Sequence, residues 1–123
     1  MPDGIDGKSL LPIYAKPSTD IRDHLALVNV WGPRPVHSLS VVTKARKYIY
    51  WPYAEGKFKP TEELYHIAED PVELKNLATN KTKEKGLEAM RTLYDGYVAQ
   101  WKKESVPYHR YAEFGDFFER SHR

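Results

Sequence analysis

Apolar and polar residues change their spacing twice along this chain, and the changes divide it. Residues 1–24 have no period: Pro2, Gly4, Gly7, Pro12 and Pro17 punctuate them. They read as an irregular connecting arm, with a short helical turn at Ser9-Leu10-Leu11 that Pro12 ends. Residues 25–31, Leu-Ala-Leu-Val-Asn-Val-Trp, are almost all apolar and stop at Gly32-Pro33. A bounded apolar run of that length predicts a strand buried on both faces. Residues 37–43 then alternate, with Leu39 and Val41 on one face and Ser38 and Ser40 on the other. Lys44-Ala45-Arg46 predicts a hairpin tip. Residues 47–53 are rich in Tyr and Trp and predict a third strand, ended by Pro52. Residues 62–67 predict a fourth.

The period then lengthens. Asp70 is a good helix cap and Pro71 fits a first helical position, so about two helical turns are expected through Ala78. Glu73 would stand near the positive end of that helix. Leu87, Met90, Leu93, Tyr94, Tyr97, Val98 and Trp101 recur every three or four residues, a continuous apolar stripe on one long helix. Lys85, Glu88, Arg91, Asp95, Lys102 and Lys103 fall on the opposite, solvated face, and Pro107 stops the helix. The fold class is therefore α+β: a four-stranded antiparallel sheet packed against one long C-terminal amphipathic helix. The chain divides into the arm (1–24), the α+β unit (25–105) and an aromatic-rich tail (106–123). The tail either folds back over the sheet or belongs against something else. One helix covers one sheet face, yet the first strand reads as buried on both. The pattern implies a partner surface that the chain lacks.

Composition narrows the functions. Of 123 residues, 19 are Lys or Arg and 17 are Asp or Glu, giving a net charge of +2 with the signs mixed along the chain. No basic block marks a nucleic-acid partner. No apolar run approaches the roughly 20 residues of a membrane span. Cysteine is absent, which excludes disulfides, thiolate metal sites and a cysteine nucleophile within this chain. The five histidines stand apart without ligand spacing, so no metal site is expected. No Gly-x-Ser-x-Gly elbow is present, so no catalytic residue is assigned. Aromatic residues make up 13%, enough to suggest a face that packs on a partner. The loop from Trp31 to His37 could reach a ligand. Trp31 would stack on it, and Arg34 and His37 are the loop's cationic-capable groups. The bland alternative is a structural loop.

Two stretches carry a family resemblance. One is Ile5-Asp6-Gly7-Lys8-Ser9-Leu10-Leu11-Pro12-Ile13. The other is Glu63-Leu64-Tyr65-His66-Ile67-Ala68-Glu69-Asp70-Pro71-Val72-Glu73-Leu74-Lys75-Asn76-Leu77-Ala78. Together, with Arg22-Asp23 and Lys47-Tyr48-Ile49 in order between them, they resemble the C-terminal part of type I, formylglycine-dependent sulfatases of the alkaline-phosphatase superfamily. The likeness spans about residues 2–104. His66 stands where the family usually has Asp, and Val42 and Ala45 where it often has Arg, so no anion-binding role carries to that strand. The resemblance implies a C-terminal subdomain that packs on a catalytic domain and shapes its cleft. The implied parent enzyme is a sulfuric ester hydrolase, acting on sulfated carbohydrate in the periplasm or outside the cell. Its calcium and its formylglycine belong to the N-terminal catalytic domain, so this chain would hold no cofactor and would be inactive alone. Trp31, Arg34 and His37 become its expected substrate-binding residues. The alternative is a stand-alone, non-enzymatic interaction domain using an exposed aromatic sheet face, through which self-association is also possible.

Overall fold

Strands that follow one another along the chain are neighbours in the sheet. The structure, a computed structural model, describes residues 7–53, 57–79, 85–108 and 110–120. Strands β1 (His24–Asn29), β2 (Ser38–Thr43), β3 (Lys47–Trp51) and β4 (Thr61–Tyr65) form one four-stranded antiparallel sheet in the order β1-β2-β3-β4. A five-residue helix, α1 (Leu11–Ala15), precedes the sheet; α2 (Lys85–Glu104) and α3 (Ala112–Phe117) follow it. The α+β class, the antiparallel sheet and the long helix are as the pattern predicts.

Register fixes what each face carries. Ala26, Val41, Tyr48 and Leu64 lie across from one another, as do Val28, Leu39, Tyr50 and Glu62. These rows face α2. Leu39, Val41, Tyr48 and Leu64 are fully buried there with Tyr94, and Met90 and Val98 are nearly so. Tyr94 meets Tyr48 and Tyr50 edge-on, with ring centroids 5.4 and 5.7 Å away, the geometry that ring quadrupoles favour. Its hydroxyl donates 2.7 Å to the carbonyl of Phe118, so the buried polar end is satisfied.

Four expectations are corrected. The first strand is not buried on both faces: β1 is the sheet edge, and Leu25 and Leu27 are 47% and 51% exposed. An edge strand lacks the neighbour that would cover it. No helix forms after Asp70. The Asp70 carboxylate does accept the Lys75 amide at 2.8 Å, but Glu73 sits at φ +55° and closes a turn instead. Pro12 is the second residue of α1 and does not end the turn, as its fixed φ and missing N–H favour in a first helical turn. Arg91 is not simply solvated: it reaches from α2 down to Glu62 on β4. The tail, left open above, folds back. Phe118 is fully buried in the main core, and Phe114 and Phe117 pack beside it.

Candidate functional site

The loop between β1 and β2 turns at Gly32, whose φ of +83° a side chain would strain. A single 3-10 turn over Arg34–Val36 follows and delivers His37 to the start of β2. His37 alternates onto the helix-facing side with Leu39. It is 7% exposed, and its ring lies 5.9 Å from those of Phe114 and Phe117. Its Nε2 donates to the Gly32 carbonyl at 3.2 Å, the role open to that nitrogen against an acceptor-only group, which leaves Nδ1 buried without a partner. The Arg34 guanidinium lies 5.5 Å over the Phe117 ring, a cation–π contact. Phe117 thus joins Arg34 and His37. Trp31, 85% exposed, stands in the same loop without that contact. Of the three expected site residues, the structure brings together two and buries one of those.

The densest polar cluster is elsewhere, where β4, α2 and the chain end meet. Glu62 is its centre. Tyr48 donates to Glu62 at 2.6 Å, Arg120 at 2.9 Å, and Arg91 through two nitrogens. Arg120 also grips Asp95 through two parallel bonds of 2.7 and 2.8 Å. Burial alone would raise the Glu62 pKa, but the hydrogen bonds from Arg91, Tyr48 and Arg120 outweigh it and hold the carboxyl below its ordinary 4.5. Burial, then the bond to Glu62, pushes the Tyr48 phenol far above its usual range. The cluster is closed on itself. Its groups are already mutually bonded, with Glu62 bonded to three side chains and Asp95 held by Arg120.

A third feature is the segment after β4. The Asn76 side chain accepts from the Leu64 amide at 3.0 Å and from the Ala78 amide at 2.9 Å. Leu77 adds a backbone bond to the Leu64 carbonyl at 2.8 Å, which seals the free edge of β4. Glu73 reaches back to Lys47 with contacts of 2.8 and 3.0 Å. The turn at Asp70, the ion pair at Glu73 and the edge bonds at Asn76 and Leu77 form one clasp.

No family model and no curated protein matches this chain. Among the described residues, no group of three or more His, Asp or Glu could hold a metal ion. No helix among them is long and apolar enough to cross a membrane.

One cleft was not anticipated. It lies between the arm, the start of β1 and the second half of α2, where Tyr97 and Trp101 line it. The sequence reading placed both rings in the core stripe. Gly96, a glycine inside a strong helix, was the available signal.

Proposed function

We propose that this chain is the C-terminal subdomain of a formylglycine-dependent sulfatase, a sulfuric ester hydrolase of sulfated carbohydrate. It packs on a catalytic domain, shapes the cleft and is inactive alone. The observation that carries the reading is the clasp. Three fixed positions of the resembled pattern, Asp70, Glu73 and Asn76, make its side-chain bonds, and Leu64 and Leu77 join through their backbones. The exposed leucines of β1 add weight, since they offer apolar surface to a neighbouring domain. In this reading Trp31 and Arg34 face the cleft, and His37 sets the loop's shape from beneath through Gly32. Calcium and formylglycine chemistry belong to the catalytic domain.

The same exposed leucines favour a second reading, a stand-alone interaction domain. One test separates them. The sulfatase reading expects coding sequence for Cys/Ser-x-Pro/Ala-x-Arg, joined to or adjoining this chain's own. It also expects no aryl-sulfate turnover by this chain with calcium, and turnover once the adjoining segment is co-expressed with a formylglycine-generating enzyme. Absence of that motif, or appreciable turnover by the chain alone, overturns it.

A further inference from the structure

β1 has the composition of an interior strand in an edge position. Ala26 and Val28 lie on the face toward α2 and Leu25 and Leu27 on the face away from it, and His24–Asn29 holds no Asp, Glu, Lys, Arg or Pro. A strand that is apolar on both faces suits a place between two neighbours. β1 has one, β2. Among the described residues, no backbone hydrogen bond from outside the sheet reaches it. Leu25, Leu27 and Val28 are all exposed. The outward N–H and C=O groups and both apolar faces are left for one more strand. The far edge of the sheet is already closed. There the Leu64 amide donates to Asn76 at 3.0 Å, and the Leu64 carbonyl accepts from the Leu77 amide at 2.8 Å.

We propose that β1 pairs antiparallel with β1 of a second copy of this chain, joining two four-stranded sheets into one. The strand is complementary to itself. Two-fold antiparallel pairing sets one residue opposite its own copy and keeps alternate residues on their own face. With Ala26 at that centre, Leu25 stands opposite Leu27 of the second copy, and Leu27 opposite its Leu25. The leucines of both copies then close over the face away from α2. Asp23 stands opposite Asn29, so no like charges meet. Centring on Leu27 or on Leu25 sets a leucine opposite Asn29 or Asp23 instead. Each copy offers one open edge, because the clasp seals the other. The pairing therefore stops at two chains and does not grow into a fibre. It rests on the chemistry of the edge and on neither functional reading.

The full chain has no cysteine, so an introduced thiol reports its own surroundings alone. Ala26→Cys should cross-link to its own copy under mild oxidation, because directly opposite residues stand about 4.5–5.5 Å apart, within disulfide reach. Val28→Cys should not. Its own copy lies four residues further along the paired strand, roughly 13 Å away. The expected difference in rate is on the order of tenfold or more. A mixture of Leu25→Cys with Leu27→Cys repeats the test at two exposed sites where the fold is not at risk, and should link faster than either variant alone. The wild-type mass in sedimentation equilibrium should level off at two chains. A wild type that stays monomeric overturns the proposal. So does cross-linking no faster in Ala26→Cys and in the mixture than in Val28→Cys. Leu27→Cys linking to itself faster than Ala26→Cys overturns the register, and a mass that passes two chains overturns the closed pair. Finding or failing to find the sulfatase motif changes none of these outcomes, so the two ideas fail separately.

Discussion

Glu62 shows how much can hang on one side chain. Three donors converge on it, from β3, from α2 and from the chain beyond α3, and two of them are arginines. Replacing it with glutamine removes the one carboxylate the two arginines share, leaving Arg120 with Asp95 and Arg91 with Glu88. Glu62→Gln should cost about 1–3 kcal/mol, read by urea denaturation. The pH dependence follows from the direction of the shift. The folded carboxyl titrates below the ordinary 4.5, so its contribution is fully present above that value and drains as pH falls through the lowered one. Acid unfolding followed by circular dichroism should be steeper in the wild type than in Glu62→Gln below about pH 4.5. Equal slopes would show that the cluster holds no folding energy in that carboxyl. None of this was readable from sequence. Glu62 looked like the first residue of an ordinary strand, and Arg120 lies 58 positions away.

Elements were legible where one period ran long enough to exclude the alternatives. The stripe from Leu87 to Trp101 specified α2, and Leu39/Val41 against Ser38/Ser40 specified the two faces of β2. The misreadings share a cause: they judged a short segment without knowing its neighbours. Leu-Ala-Leu-Val reads as a core strand in isolation, but its place at the sheet edge is a matter of topology. Asp70-Pro71 starts a helix by local chemistry, yet the edge of β4 needs partners, and the segment serves it instead. Asn76→Ala should therefore behave as a sheet mutation, not a loop mutation. It frees the Leu64 and Ala78 amides and should cost about 1–3 kcal/mol. A loss below a few tenths would mean the clasp is ornamental, and would weaken the reading that rests on it. The tail makes the same point. Phe118→Ala, at a fully buried position sealed by the Tyr94 bond, should cost about 3–5 kcal/mol by thermal melting, although the residue stands in the aromatic tail and not in the α+β unit read from sequence.

At the scale of the whole molecule, α2 packs on one face of the sheet, against β2 and β3, with α3 packed against α2. No helix among the described residues packs on the face away from α2 in the way α2 packs on β2 and β3. The centre of that face is closed, with Ser38 and Ser40 at 7% exposure and Ile49 at 9%, so its exposed apolar surface gathers at the β1 margin. β1 is also an edge from His24 to Asn29 with no charge and no proline to blunt it. An uncharged edge with outward leucines invites a neighbour. The partner surface inferred from composition is thus narrower than expected. The half-exposed leucines lie at the β1 margin, while Tyr48 and Tyr50 are buried in the core. The isolated chain should self-associate as its concentration rises, seen as a growing weight-average mass in sedimentation equilibrium. Leu25→Lys with Leu27→Lys should abolish that growth. Each leucine is already half exposed, so each should cost only about 1 kcal/mol of fold stability. A wild-type chain that stays monomeric across the range would remove the margin as a docking surface. Association that survives both lysines would move the docking surface elsewhere on the molecule. Where association is lost, the same pair of substitutions placed in the co-expressed enzyme should also lower recovered sulfatase turnover, because the margin that pairs with a second copy is then the one a catalytic domain would cover.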